Sequence, residues 1–426
     1  MIHLRTAIRV MPAFWLALPL AAFAAWYVTL LGPSDGYAAD ATAKASMTIA
    51  FVGSVCAACA AWEGSRLRRA LLWNAPSVRS RAAVAAWALL PVVAVGLLAV
   101  VVAMVVQVVR SSAGLPDPRF IVMTALDLVA YAAAGFAAGI LLPFAVAGPL
   151  AIVGTFIWIG FIPAMDPVWL RHLTGMFRDC CGLYEDLSPR AVLASTIVDL
   201  GIVIAAAFLV ASPGKQLRRF GASLASFGAA VLVGSLLVAG MTYAPVVARD
   251  TAQLQCSSAT GVTLCTWPEH QARAAEVVGI VAGVRTAWKT AGIDAPSVFT
   301  EADPSVAPAG ALIFGFDGTR SKKDDIINSL AVGMLPPFPD CPYGGTGGAA
   351  FDYLLAWYDA AGGMSPNALD DAWAGMWGEP DYPAVLTLVA ELQAASPESH
   401  RAWIVRAETA SQECDVWRSD LIAVTP

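Results

Sequence analysis

Residues Leu254 to Gln271 read LQCSSATGVTLCTWPEHQ, two cysteines nine residues apart running into Trp-Pro-Glu-His. Those residue types offer three chemistries: a metal site, a thiol nucleophile with a histidine base, or a disulfide. A zinc site needs three or four Cys or His ligands at spacings such as Cys-x2-Cys, and none follows. His270 and His400 are the only histidines after residue 250, and no His-Glu-x-x-His occurs in the chain. No metal or other cofactor is therefore expected. A thiol enzyme needs a free cysteine, for which Cys265 with His270 is the one pairing in reach. The disulfide depends on compartment, because thiols outside a bacterial membrane are usually oxidised. Four cysteines lie in this part: Cys256, Cys265, Cys341 and Cys414. Closeness in sequence and the turn-rich SSATGVT favour Cys256 with Cys265, which leaves Cys341 with Cys414. Thr266 with Glu269 three residues on reads as a capping box, with Pro268 in the first turn of a helix running to about Ala291.

A second chemistry lies in apolar surroundings. Asp127 sits in IVMTALDLVAY and Asp199 in ASTIVDLGIV, and an acid inside a membrane span is a functional candidate by default. Both fall about seven residues from one end of their helices, hence near one depth, and Gln107 lies nearer the mouth. Together the three would line an outward-facing cavity for a polar or cationic substrate. The alternative is that each pairs with a neighbouring helix or reaches the headgroups.

The elements that hold these residues follow from composition. With 58% hydrophobic and 14% charged residues over 426 positions, most of the apolar excess must face lipid. Residues 1–250 carry 17 Lys and Arg against 11 Asp and Glu, whereas 251–426 carry 9 against 21, so a boundary falls near Asp250. Neither part has the basic face that a nucleic-acid partner requires. Seven segments reach the length needed to span: about 12–31, 46–62, 83–109, 120–142, 149–164, 192–211 and 222–245. The fourth and fifth are joined by the apolar LPFAVAGP. Arg5 and Arg9, then Arg66, Arg68, Arg69, Arg79 and Arg81, then Lys215, Arg218 and Arg219 fall in alternate loops. The positive-inside rule then places the amino terminus in the cytoplasm and everything after Ala244 outside the bacterial cell membrane.

Within the first part, Cys56 and Cys59 share a helix face with Gly53 as small residues that admit a close neighbour. Val168, Leu170, Leu173, Met176 and Phe177 suggest an amphipathic helix at the outer interface. Cys180 and Cys181 are adjacent, and ring strain disfavours a bond between neighbours, so a partner elsewhere is expected. The outer domain reads as mainly α with a small sheet. It has β-type runs at 296–301 and 311–316, and helical patterns at about 321–333, 349–361, 365–377, 381–394 and 397–413. Ser365-Pro366 and Ser396-Pro397 are repeated helix starts. CPYGGTGGAAFDY at 341–353 lacks the Gly-Lys-Ser/Thr of a nucleotide loop and reads as a link. Trp357, Tyr358, Trp373, Trp377 and Trp403 offer a groove or a core, and core packing is the expectation. With no nucleophile, base and metal set in view, the chain does not read as an enzyme.

The layout resembles the membrane subunit of an ABC-2-type exporter. The features that carry it are HLRTAIRV at the amino end, the basic loop WEGSRLRRALLWNAPSVRSR and the stretch from Asp166 to Arg190. AAWEGSRLRR, the Cys-x8-Cys segment and the closing RAWIVRAETASQECD are similar to actinobacterial permease-like proteins with an extracytoplasmic carboxyl domain. The resemblance implies a homodimer or heterodimer in membrane lipid, driven by a separate ABC ATPase chain that docks on Arg66, Arg68, Arg69, Arg79 and Arg81. The chain departs from the general pattern in its seventh span and extra domain. The expected fold is thus an α-helical polytopic membrane protein with about seven transmembrane helices and an α+β, mainly α, extracytoplasmic domain. An anchored binding or assembly module without transport is the alternative.

Overall fold

The computed structural model describes residues 11–71, 73, 80–178, 180–210, 216–318, 320–337, 348–369 and 382–413. The chain divides into two compact units, Met1–Val247 and Ala248–Pro426.

The first unit is a bundle of apolar helices. Its helices are α1 (Pro12–Leu30), α2 (Ala38–Ser46), α3 (Ile49–Arg69), α4 (Arg81–Arg110), α5 (Pro118–Leu141), α6 (Phe144–Phe156), α7 (Pro189–Val210) and α8 (Gln216–Val238). Among the described residues six helical spans are long and apolar enough to cross a membrane, α6 being continued to Ala164 by a π turn and a short 3-10 turn. The bent pair α2–α3 makes up to seven. The protein is therefore a multi-pass α-helical membrane protein.

Four boundaries differ from the hydropathy reading. A separate helix, α2, precedes the expected second span and meets α3 at 45°, and α3 continues through Arg66, Arg68 and Arg69, so these arginines lie in its last turns rather than in a loop. The α5–α6 connection is only Leu142-Pro143, and the rest of the expected linker belongs to α6. Pro143 cannot continue the first helix but suits the start of the next. The last span ends at Val238 rather than near 245. Finally, residues 168–173 form a 3-10 turn with Leu173 and Phe177 buried, not an amphipathic surface helix.

The closest seam in this unit is between α3 and α5. Gly135 and Gly139 of α5 face Ala57 and Ala61 of α3, small residues four apart on both helices. A Cβ at either glycine would fall on the opposing alanine carbonyl oxygen, and Ser65 Oγ donates to the Gly139 carbonyl at 3.1 Å. Without a hydrophobic drive between helices in lipid, such close approach supplies the packing energy. Cys56 fills space against Gly96 of α4, where a Cβ would lie 2.6 Å from its Sγ, and Cys59 is buried beside it on α3. Two short strands, β1 (Glu185–Leu187) and β2 (Val246–Ala248), pair with each other.

The second unit surrounds its own hydrophobic core. Strands β3 (Gln255–Ala259), β4 (Val262–Thr266), β5 (Val298–Thr300) and β6 (Leu312–Ile313) form one sheet in that order. The β3–β4 pair is an antiparallel hairpin, and the other two pairings are parallel. Helices α9 (Ala274–Thr290), α10 (Lys323–Met334), α11 (Gly348–Ala361), α12 (Tyr382–Ala394) and α13 (Pro397–Ser411) complete it. Thr260 and Gly261 both take positive φ, the conformation a tight hairpin turn needs. Ser396 caps α13 by accepting from Ser399 N, ahead of Pro397, as the Ser-Pro signal predicts. Trp357 and Tyr358 of α11 and Trp403 of α13 are buried in the core. Trp373, Trp377 and most of the expected 365–377 helix lie outside the described residues, as does the Gly-rich run before Gly348.

Candidate functional site

Asp127 and Asp199 are set by two helix starts. Asp117 caps α5 by accepting from Arg119 N at 2.9 Å, with Pro118 as the first helical residue, and α7 likewise begins at Pro189. Asp127 follows nine residues after the first proline and Asp199 ten after the second, which at ~1.5 Å per residue sets both about 14 Å along their helices. The structure brings them together: both are buried, 2% and 5% exposed, and their carboxyl groups are close enough to interact electrostatically.

The segment between α6 and α7 closes over this pair. After the 3-10 turn Val168–Leu173, Thr174 accepts through its backbone oxygen from Tyr131 Oη at 3.0 Å, and Tyr131 stands one helical turn beyond Asp127. Gly175 follows with φ of +74°, so close to Asp127 that a Cβ there would fall on the carboxyl oxygen. Only glycine meets both demands, the left-handed backbone and the missing side chain. The segment is held by buried contacts. Arg171 stacks on Tyr243, its guanidinium carbon 3.3 Å from the ring centre. His172 Nε2 donates to the Thr242 carbonyl at 2.9 Å, and burial holds the imidazole below its ordinary range and hence neutral. Leu173 packs with Ala194, Val198 and Val238.

This geometry corrects two expectations. Gly175 lies directly against the Asp127 carboxyl, with Thr174 beside it on Tyr131, so backbone rather than open space covers that acid. Gln107 does not join them either: it is fully buried, and its Nε2 donates to the Gly32 carbonyl at 2.8 Å, tying the end of α4 to the turn after α1. An apolar cleft of about 290 Å³ does reach the neighbourhood from the side, lined among others by Tyr131, Leu150, Trp158 and Phe227. Tyr131 thus touches both the cleft and the segment over the acid pair. Its place four residues after Asp127 was the only sequence signal for it. Thr174 and Gly175 carried none.

The arginines near the end of α3 have intramolecular contacts. Arg66 pairs with the buried Glu63, Arg68 Nη1 donates to the Leu141 carbonyl at the end of α5 at 3.1 Å, and Arg69 lies 5.3 Å from the Trp62 ring centre. Arg81 lies 5.8 Å from the Trp73 ring centre, and Arg79 is outside the described residues.

In the second unit, Cys256 and Cys265 face each other across the β3–β4 hairpin and are joined by a disulfide with an S–S distance of 2.01 Å. With Cys265 oxidised, the thiol and histidine reading of LCTWPEH has no nucleophile. Cys341 and Cys414 lie outside the described residues. In the first unit, Cys180 and Cys181 are both buried.

The capping box is also corrected. Thr266 ends β4 and accepts from Gln271 Nε2 at 2.7 Å, while Glu269 pairs with Arg249 at 3.0 Å. A 3-10 turn, Pro268–Arg273, precedes α9. His270 lies against Glu301, its Nδ1 2.6 Å from Oε1, and both are buried. Trp267 donates from its backbone N to Glu301 Oε2 at 3.0 Å and from Nε1 to the Glu301 carbonyl at 2.9 Å. Burial raises the Glu301 carboxyl, against the pull of His270 and the Trp267 amide. Glu301 was legible only as the acid that ends the apolar run PSVFTE. The arrangement locks Trp-Pro-Glu-His onto the end of β5, where its polar groups hold structure.

Residues 264–414, most of the second unit and none of the spans, match a family described as a domain of unknown function, DUF7224. No curated protein and no solved structure matches the chain.

Proposed function

We propose that the chain is the permease-like membrane subunit of an ABC-type exporter in a bacterial cell membrane. In this reading it is dimeric, with the amino end cytoplasmic and the second unit outside, and a separate ATPase chain works on the inner arginines. The observation that supports it is the Asp127–Asp199 pair, buried in a bundle of spans and closed over by Thr174 and Gly175. Carboxyl groups in hydrocarbon are costly and usually mark a path for polar or charged groups. The neighbouring cleft at Tyr131 adds a lateral approach. Mild detergent extraction and co-purification test the ATPase partner. A nucleotide-binding chain should accompany the wild type and be lost when Arg66, Arg68, Arg69, Arg79 and Arg81 are changed to Gln. Recovery of no such chain with the wild type argues against the reading.

A second reading, an anchored extracytoplasmic binding or assembly module, is favoured by the separate core and disulfide-closed hairpin of the second unit. The two part on mutation. Asp127→Asn and Asp199→Asn abolish function in the first reading and spare it in the second, where deleting residues 251–426 abolishes it.

A further inference from the structure

A larger apolar cleft, about 370 Å³, lies between α4, α5 and α7. Ala85, Ala133 and Ala207 give it depth, and Leu89 and Phe136 wall it. Arg81, the first residue of α4, stands in the lining at one end, where Ser80 caps the helix by accepting from Ala83 N at 3.2 Å. From Arg81 to Leu89 the helix rises ~12 Å, so an apolar trough of that length leads away from a guanidinium. Trp73 shapes the same end: its Nε1 donates to the Val210 carbonyl at 3.2 Å at the close of α7, and its ring faces Arg81.

The guanidinium is not fully satisfied. Its Nη1 is buried and has no hydrogen-bond partner among the described residues. Buried charged donors are almost always paired, and the rest of the lining is apolar. The missing partner must therefore bring an anionic oxygen together with an apolar chain that fills the trough. The start of α4 and the end of α7 form the mouth, the level at which headgroups meet spanning helices, and basic residues there attract anionic lipid. Arg66, Arg68 and Arg69 at the end of α3 add positive charge to the same sequence region.

We infer that this cleft binds an anionic membrane phospholipid, with one acyl chain in the trough and a phosphate oxygen on Arg81 Nη1. The site is separate from the acid pair; Arg81 also belongs to the proposed ATPase-docking set, and lipid retention is read with this chain alone. Because Arg81 then serves a lipid, its substitution affects lipid retention even where no second protein is present.

Native mass spectrometry of the full chain in detergent, with added phosphatidylglycerol or phosphatidylcholine, provides the test. The wild type should retain phosphatidylglycerol about fivefold better, because phosphatidylcholine offers the same phosphate oxygens but also a choline cation that offsets their charge and is repelled by the guanidinium. Arg81→Gln should erase that preference and Arg81→Lys largely keep it, while Ala85→Phe with Ala207→Phe should reduce retention of both lipids. An unchanged preference in Arg81→Gln, or undiminished retention in the filled variant, overturns the inference. If a variant does not elute as a folded species, the wild type decides. Phosphatidylglycerol carrying a photoreactive acyl chain should label the helix segments around Ala85, Ala133 and Ala207, and labelling confined to other segments overturns the proposal.

Discussion

Asp359 lies in α11, fully buried in the core of the second unit. Asn328 Nδ2 donates to its Oδ2 at 2.9 Å, and its Oδ1 has no hydrogen-bond partner among the described residues. Desolvation pushes its carboxyl up to about 7, against the opposing pull of the Asn328 donor. An unfolded aspartate titrates near 4, so between about pH 4 and pH 7 the folded chain holds the proton that the unfolded chain has lost. Stability must then fall as pH rises through that window and level off above it. Two pH units, from 5 to 7, amount to about 3 kcal/mol at ~1.4 kcal/mol per unit. Asp359→Asn removes the titration while keeping an amide oxygen for Asn328. Hydrogen exchange of the peptide covering α11, in the full chain in detergent and corrected for intrinsic rates, reads the free energy of local opening. Relative to the variant, the wild type should lose about 3 kcal/mol between pH 5 and pH 8. Subtracting the variant removes other titrations, including that of Asp352, which burial also pushes up to about 7. A wild-type-minus-variant difference that is equal at both pH values would show that Asp359 ionises as it does in water, and the burial argument fails.

Two further outcomes follow from packing and covalent links. Gly139→Ala forces a methyl group onto the Ala61 carbonyl and should lower stability in detergent by about 1–3 kcal/mol. Gly228→Ala in α8, where a Cβ meets nothing within 4 Å, should be neutral by the same thermal-shift measurement, and equal effects at both glycines would refute the seam. Alkylation without reductant should leave Cys256 and Cys265 unmodified in intact-mass spectra, and the double Ser variant should lose about 2–3 kcal/mol, the chain-entropy value for so short a loop. Ready labelling of either cysteine in the folded wild type contradicts the bond.

Much of the membrane unit was legible because hydrocarbon imposes a one-dimensional rule: a backbone that must satisfy itself across ~30 Å needs a long apolar helix, and such runs show in sequence. Where the rule weakens, reading failed. Arg66, Arg68 and Arg69 look like loop residues by hydropathy but remain helical because their backbone hydrogen bonds continue to the end of α3. The equal depth of Asp127 and Asp199 followed from counting residues along helices. That they meet, and that Gln107 turns to Gly32 instead, depends on how the helices rotate and cross, which no spacing encodes.

The same division holds for Leu254 to Gln271. Local chemistry was sufficient to pair Cys256 with Cys265, since nine residues with a turn between them bring the two sulfurs within reach. Glu301, which faces His270, lies 31 residues away just past the end of strand β5, and local cues for a capping box pointed elsewhere because Glu269 is taken by Arg249. Short-range propensity and hydropathy are thus fixed by covalent order and solvent, and they determined the helices, the hairpin bond and the two-part division. The acid pair, its glycine cover and the Arg81 cleft arise from contacts between segments far apart in sequence. Only the packed structure decides those, because burial and distance are properties of neighbours in space.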